Sequence, residues 1–182
     1  MSLKACILGL LSLRSMTGYE LKSTFDRSIS YNWSSSSTQI YTALKGLERE
    51  GFVKSELVVQ ESKPNKRVYQ ITPEGSRFLE EWLMSPMEFK YAKDEFLVRV
   101  FFSNLIDDSQ AVAILEQNLA NMEKQVEELT YIRKRVTSRP SQNPRARHYQ
   151  LMALDLRVAG LNGVITEARR QIMQMKSNTL SE

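Results

Sequence analysis

The chain has 182 residues, 42% hydrophobic and 25% charged, with a formal net charge of +4. That length holds one large domain or two small ones, and so mild a charge means that any affinity for a polyanion must come from clustered cations. A single cysteine, Cys6, excludes an intramolecular disulfide and a cysteine zinc cage. A single histidine, His148, removes most hydrolase and metal constellations, so nothing in the sequence implies a catalytic group, a metal or a cofactor.

No apolar run approaches the ~20 residues that span a bilayer. The longest, ACILGLLSL, has no small-residue cleavage site after it and does not read as a signal peptide, so the expectation is a cytoplasmic protein with no membrane contact. Leu3, Ile7, Leu10 and Leu11, with Cys6 and Leu8 beside them, predict a first helix over residues 3–13. Thr17 followed by Glu20 forms a capping box that opens a second helix to Ser28, expected to bury Tyr19, Leu21 and Phe25. The serines of Ser34 to Ser37 precede a third helix, with Ser36 and Gln39 as another capping box, Ile40, Leu44 and Leu47 as its buried face, and Gly51 as its stop. Phe52 to Gln60 and Val68 to Thr72 read as strands, with the turn Glu61-Ser62-Lys63-Pro64-Asn65-Lys66-Arg67 between them. Thr72-Pro73-Glu74 opens a fourth helix that Pro86 ends.

This order, three helices and a β-hairpin, is that of a winged helix-turn-helix. With Ile40 at the centre of the buried face of helix three, Thr38, Thr42, Lys45 and Arg49 point away from it, flanked by Gln39 and Tyr41. Such side chains bond base edges and phosphates, and the first turn of a recognition helix is the part that reaches the bases. The candidate DNA-binding residues of the helix are therefore Ser35, Ser36, Ser37, Gln39, Tyr41, Thr42 and Lys45. Those of the basic turn are Lys63, Asn65, Lys66 and Arg67. Trp33 and Trp82 read as packing residues, and Cys6 as an inert core thiol.

Residues 86–92 form a joint, giving a DNA-binding domain over 1–86 and a helical domain over 93–178. The second half begins with a short helix over 94–105, and Asp107 with Gln110 caps the next one. Two long helices follow, broken at Arg139-Pro140-Ser141-Gln142-Asn143-Pro144. One carries the seam Leu115, Leu119, Met122, Val126 and Leu129; the other carries Leu151, Leu154, Val158, Leu161, Ile165, Ala168, Ile172 and Met175. They predict an antiparallel hairpin, and one hairpin has too little core to hide both stripes. A second copy is the expected partner, held through Leu115, Leu119, Met122, Val126, Leu129, Leu154, Val158, Leu161, Ile165 and Ile172. The fold class is thus mainly α: an N-terminal winged helix-turn-helix with a small wing, and a C-terminal antiparallel long-helix dimerisation domain. Arg133, Lys134, Arg135 and Arg139 are read as partners of a helix C-terminus, and Gly160 and Gly163 as points of close helix approach.

The pieces ILGLLS, TGYEL, QIYTALKGLEREGFV and KPNKRVYQITPEG together resemble the PadR family of transcriptional regulators over residues 3–80. The stretch from YAKDEFLVRVFF onward resembles the C-terminal domain of the longer members, including AphA-type activators. The resemblance implies a homodimer that binds an inverted repeat near a promoter, with Gln39, Tyr41, Thr42 and Lys45 in the recognition helix and Lys63, Lys66 and Arg67 in the wing. Some members respond to phenolic acids or other aromatics, but no ligand-specific signature stands in this sequence, so an effector stays unidentified. The function expected is sequence-specific binding of double-stranded DNA; the alternative is a winged-helix adaptor that docks a protein and never meets DNA.

Overall fold

The computed structural model describes residues 2–31, 33–59, 65–87, 94–138, 140–141 and 143–179. The chain divides into two compact units, Met1–Phe89 and Lys90–Glu182.

The first unit runs α1 (Ser2–Leu13), β1 (Met16–Thr17), α2 (Gly18–Ser28), α3 (Ser37–Arg49), β2 (Val53–Val58), β3 (Lys66–Ile71) and α4 (Pro73–Met84). Its core gathers Ile7, Leu8 and Leu11 of α1, Leu21 and Phe25 of α2, Ile40, Leu44 and Leu47 of α3, and Met16, Val53 and Tyr69 of the sheet. These are the apolar faces that helical and strand periodicity set. Both expected capping boxes form. The Thr17 hydroxyl accepts from the Glu20 N–H at 3.2 Å while the Thr17 N–H donates to Glu20 Oε2 at 2.8 Å, and Ser36 with Gln39 does the same at 3.2 and 2.9 Å. Each box satisfies backbone donors that a helix start leaves without partners.

Gly51 ends the turn after α3 at a φ of 77°, the left-handed conformation that glycine adopts without penalty. The chain then enters an antiparallel three-stranded sheet ordered β1-β3-β2. Strand β1 is an addition to the sequence reading. Met16 and Thr17 pair with Tyr69 and Val68, which lie far along the chain, so no local pattern announces them. Thr72 ties the hairpin base to α4. Its hydroxyl donates to the Gly51 carbonyl at 2.7 Å and accepts from the Gly75 N–H at 3.0 Å. Gly75 has to be glycine here, because a β-carbon would stand 2.1 Å from the Phe52 carbonyl oxygen.

Three expected placements are corrected. Tyr19 is 78% exposed, because it lies about 200° around the helix from Leu21, whereas Leu21 and Phe25 share the buried face. Lys66 and Arg67 belong to strand β3 and pair with Val58 and Leu57, so they are strand residues and not turn residues. Trp33 is exposed rather than packed, and Trp82 is half-buried.

The second unit contains α5 (Glu95–Phe101), a 3-10 turn over Ser103–Leu105, α6 (Asp108–Ser138) and α7 (Pro144–Thr179). The Asn143 side chain caps α7 by accepting from the Ala146 N–H at 2.9 Å. Helices α6 and α7 form the hairpin, and their seams pack on each other. Leu115, Leu119, Leu129, Leu154, Leu161, Ile165 and Ile172 are buried in this single chain, with Met122, Val126 and Val158 half-buried. The expectation that these stripes stay uncovered is therefore corrected: each stripe meets the other. Among the described residues three cross-hairpin ion pairs flank the seam, Glu116–Lys176 at 2.7 Å, Glu123–Arg169 at 2.5 Å and Arg133–Asp155 at 2.6 Å. Arg133 is thus committed to α7 and not to the end of its own helix, and the Arg135 guanidinium lies 5.8 Å from the Tyr131 ring centre. Arg139 lies outside the described residues. Gly160 and Gly163 are exposed, and a β-carbon on either would meet nothing within 4 Å, so they permit no close approach inside the hairpin. Among the described residues no helix is long and apolar enough to cross a membrane.

Candidate nucleic-acid interface

Helix α3 turns one face into the core and leaves Ser36, Ser37, Thr38, Gln39, Tyr41, Thr42, Lys45 and Arg49 exposed, with Ser35 half-buried. The exposed face carries hydroxyls, an amide, a phenol and two cations, and among these residues no carboxylate. Gln39 is not wholly available. Its Oε1 accepts the Ser36 N–H in the capping box, so what it can offer a ligand is its NH2 group. Ser36 is engaged in the same box, and its structural part is to start the helix.

The sequence reading brought helix and turn together but missed the cleft that joins them. Thr17, Gly18, Tyr19, Glu20, Tyr41, Lys66, Arg67 and Tyr69 line one opening between the start of α2, the first turns of α3 and strand β3. Its depth depends on Gly18. A β-carbon there would stand 2.3 Å from Tyr41 Cε1 and 3.0 Å from the Tyr41 hydroxyl, so the phenol ring lies directly on the glycine backbone. Three phenols and two cations share this cleft with one carboxylate, Glu20. That carboxylate is held below its usual pKa of 4.5, first by the Thr17 backbone N–H and then by the Thr17 hydroxyl. Its hydrogen-bonding capacity is thus directed into the helix start.

Of the four expected wing residues, Lys63 lies outside the described residues. Asn65 and Lys66 are exposed at the start of β3. Arg67 leaves the strand on the same side as Tyr69 and Ile71, toward α3, where its Nη1 lies 3.7 Å from Glu48 Oε2. The other Glu48 oxygen accepts the Ser55 hydroxyl. Burial raises the Tyr69 phenol above its ordinary pKa of 10, while Arg67 opposes that shift and Glu48 adds to it. No group of His, Cys, Asp and Glu able to hold a metal ion occurs among the described residues. The arrangement can hold a phosphate backbone against Lys66 and the tyrosine hydroxyls and present α3 beside it.

Residues 7–81 match the transcriptional regulator PadR-like family, and residues 92–161 match the virulence activator alpha C-terminal family. The negative transcriptional regulator PadR of Bacillus subtilis is 30% identical over 128 residues, which is 70% of this chain and 70% of that protein. The crystal structure of B. subtilis PadR in complex with operator DNA superposes with a TM-score of 0.83 at 24% identity, covering 96% of this chain and 99% of that one. The Vibrio cholerae virulence activator AphA gives a TM-score of 0.76 at 24% identity, covering 96% and 98%. The chain belongs to the PadR-like family of transcriptional regulators, a family of regulators and not of enzymes.

Proposed function

Starting from that family, we propose that this protein is a homodimer that binds an inverted-repeat operator, each copy laying α3 in a major groove and setting Lys66 and the cleft tyrosines on the adjoining phosphates. The observation that carries the reading is the cleft: one opening gathers Lys66, Arg67, Tyr19, Tyr41 and Tyr69 beside the exposed first turns of α3. A solvated helix face has no need of a basic strand end and three phenols converging on its start. The related B. subtilis PadR has been crystallised with operator DNA, which supports the same role here.

The dimer needs a surface other than the hairpin seam. The outward face of α7, about 160–240° from Leu154, carries Tyr149, Met152, Leu156, Gly160 and Gly163 before it turns charged at Glu167 and Arg170. The corresponding face of α6 is mostly polar, with Gln117, Asn121, Lys124 and Glu128 and a single exposed ring, Tyr131. An apolar outer stripe on one helix alone suits a second copy, and the two glycines would let its backbone come close. The segment of Leu97, Phe101, Phe102 and Leu105, exposed in this unit, adds apolar surface to such an interface.

Selection of duplexes from a random pool by the purified protein tests the proposal. The expected product is an inverted repeat with half-sites about one helical turn, ~34–36 Å, or a multiple apart. A pool that stays unenriched, with no duplex retained even at low salt, would refute it and return the adaptor alternative, in which the same face docks a protein.

A further inference from the structure

Arg67 is an exposed side chain, 56% accessible, but it is not an isolated charge: its guanidinium leans toward α3 and lies 3.7 Å from Glu48. Glu48 in turn is anchored from β2 by the Ser55 hydroxyl, which donates to its other oxygen. A carboxylate tethered in this way is a fixed counter-charge. Lys66, one residue earlier, faces no carboxylate tethered in this way among the described residues: Glu20, which shares the cleft, is committed to the Thr17 cap.

Resting on the DNA-binding reading above, we propose that Glu48 is an internal counter-anion for Arg67 that suppresses binding to non-specific DNA, so that Arg67 engages a phosphate only on a duplex that fits α3. Non-specific affinity arises almost wholly from cations that displace condensed counterions, at about 0.9 units of log–log salt slope for each phosphate neutralised. A cation already balanced by a neighbouring carboxylate adds little to that term. The Arg67–Glu48 separation also exceeds the ~2.7–2.9 Å of a close charge-assisted bond, so a phosphate held in position by base contacts elsewhere can take the guanidinium over. Specific DNA thereby recruits a contact that random DNA does not.

The test uses Glu48→Gln, which removes the charge and keeps an oxygen for Ser55. Binding is measured across a salt series on a random duplex and on the sequence selected from the pool. The expected result is several-fold tighter binding to random duplex, a slope steeper by about 0.9, and a smaller ratio of specific to random affinity. Adding Arg67→Ala to this variant should abolish the gain. Arg67→Ala alone, the second variant, should weaken selected duplex more than random duplex. Random-duplex affinity left unchanged by Glu48→Gln would overturn the proposal. So would a loss of affinity in Glu48→Gln as large as in Arg67→Ala, because Glu48 would then aim Arg67 at DNA instead of withholding it. Lys66→Ala separates the two layers of the argument: it should flatten the slope by about 0.9 whatever Glu48 does. If it does so while Glu48→Gln is silent, the DNA-binding reading stands and the counter-anion falls. If the wild-type protein retains no duplex, both fall.

Discussion

The contact between Gly18 and Tyr41 gives the sharpest single test of the cleft. In Gly18→Ala the new β-carbon would stand 2.3 Å from Tyr41 Cε1, 2.9 Å from Cζ and 3.0 Å from the hydroxyl. Carbon atoms settle at about 3.5–4.0 Å, so the ring has to move by more than about 1 Å. Tyr41 is 41% exposed, which leaves it room to swing outward without disturbing the core. The penalty should therefore fall at the low end of the about 1–3 kcal/mol that overpacking costs, and alanine recovers part of it as a better helix former by up to about 1 kcal/mol. The expected outcome is a fold of nearly unchanged stability with its Tyr41 hydroxyl displaced and its duplex affinity reduced. Thermal melting and gel shift on the same preparations check this. The control is the double-mutant cycle with Tyr41→Ala, in which Gly18→Ala should cost nothing further. Wild-type affinity in Gly18→Ala, or additive losses in the cycle, would refute the idea that the glycine seats the phenol. Gly75 supplies the contrast. There the obstacle is the Phe52 carbonyl oxygen at 2.1 Å, part of the backbone at the hairpin base, so Gly75→Ala should cost the first unit well over 1 kcal/mol, with no single side-chain truncation to rescue it.

Two further outcomes follow from burial and protonation. Leu156 on the outer face of α7 is 68% exposed and Leu161 in the seam only 8%; Leu156→Asp should give a monomer by sedimentation with full helicity, whereas Leu161→Asp should lose helicity by circular dichroism, and a Leu156→Asp protein that still sediments as a dimer would remove that face from the interface. The Glu20 carboxyl has its folded pKa depressed below 4.5, so its stabilising effect is complete above that value and is lost as pH falls through the folded pKa. Glu20→Gln should accordingly lessen the acid dependence of stability in that window, and an NMR titration placing Glu20 at or above 4.5 would contradict the capping box as its cause.

Features set by neighbours in sequence were legible. The Thr17–Glu20 and Ser36–Gln39 boxes, the stop at Gly51 and the cap at Thr72 each depend on residues within a few positions, so a local pattern suffices. Strand β1 was not legible, because Met16 becomes a strand residue only through Tyr69. The long seams were read as stripes for a second copy to bury, whereas within one copy each already covers the other. A heptad stripe presents the same side chains whether it meets its own hairpin or another chain. Only the cross-hairpin ion pairs and the burial of Leu154 and Ile165 in one copy distinguish the two cases. That distinction moves attention to Tyr149, Met152 and Leu156, which the heptad reading had left aside.

The candidate interface divides along the same line. Residue types on α3 follow from periodicity alone, since the positions opposite Ile40 must be exposed once Ile40 is buried. How much of each side chain remains for DNA does not follow. Gln39 reads in the sequence as a recognition-helix contact and Arg67 as a wing contact, yet one shares its amide oxygen with a helix cap and the other faces a tethered carboxylate. Both constraints are local in space, and the second joins α3 to β3 across the fold. A reader of DNA built this way discriminates by what it withholds as well as by what it offers. On the proposed mechanism Lys66 and the phenols meet any duplex, while Arg67 comes into play where α3 already fits. The affinity ratio between specific and random DNA, more than the affinity for either, is then the quantity that variants of Glu48 and Arg67 should move.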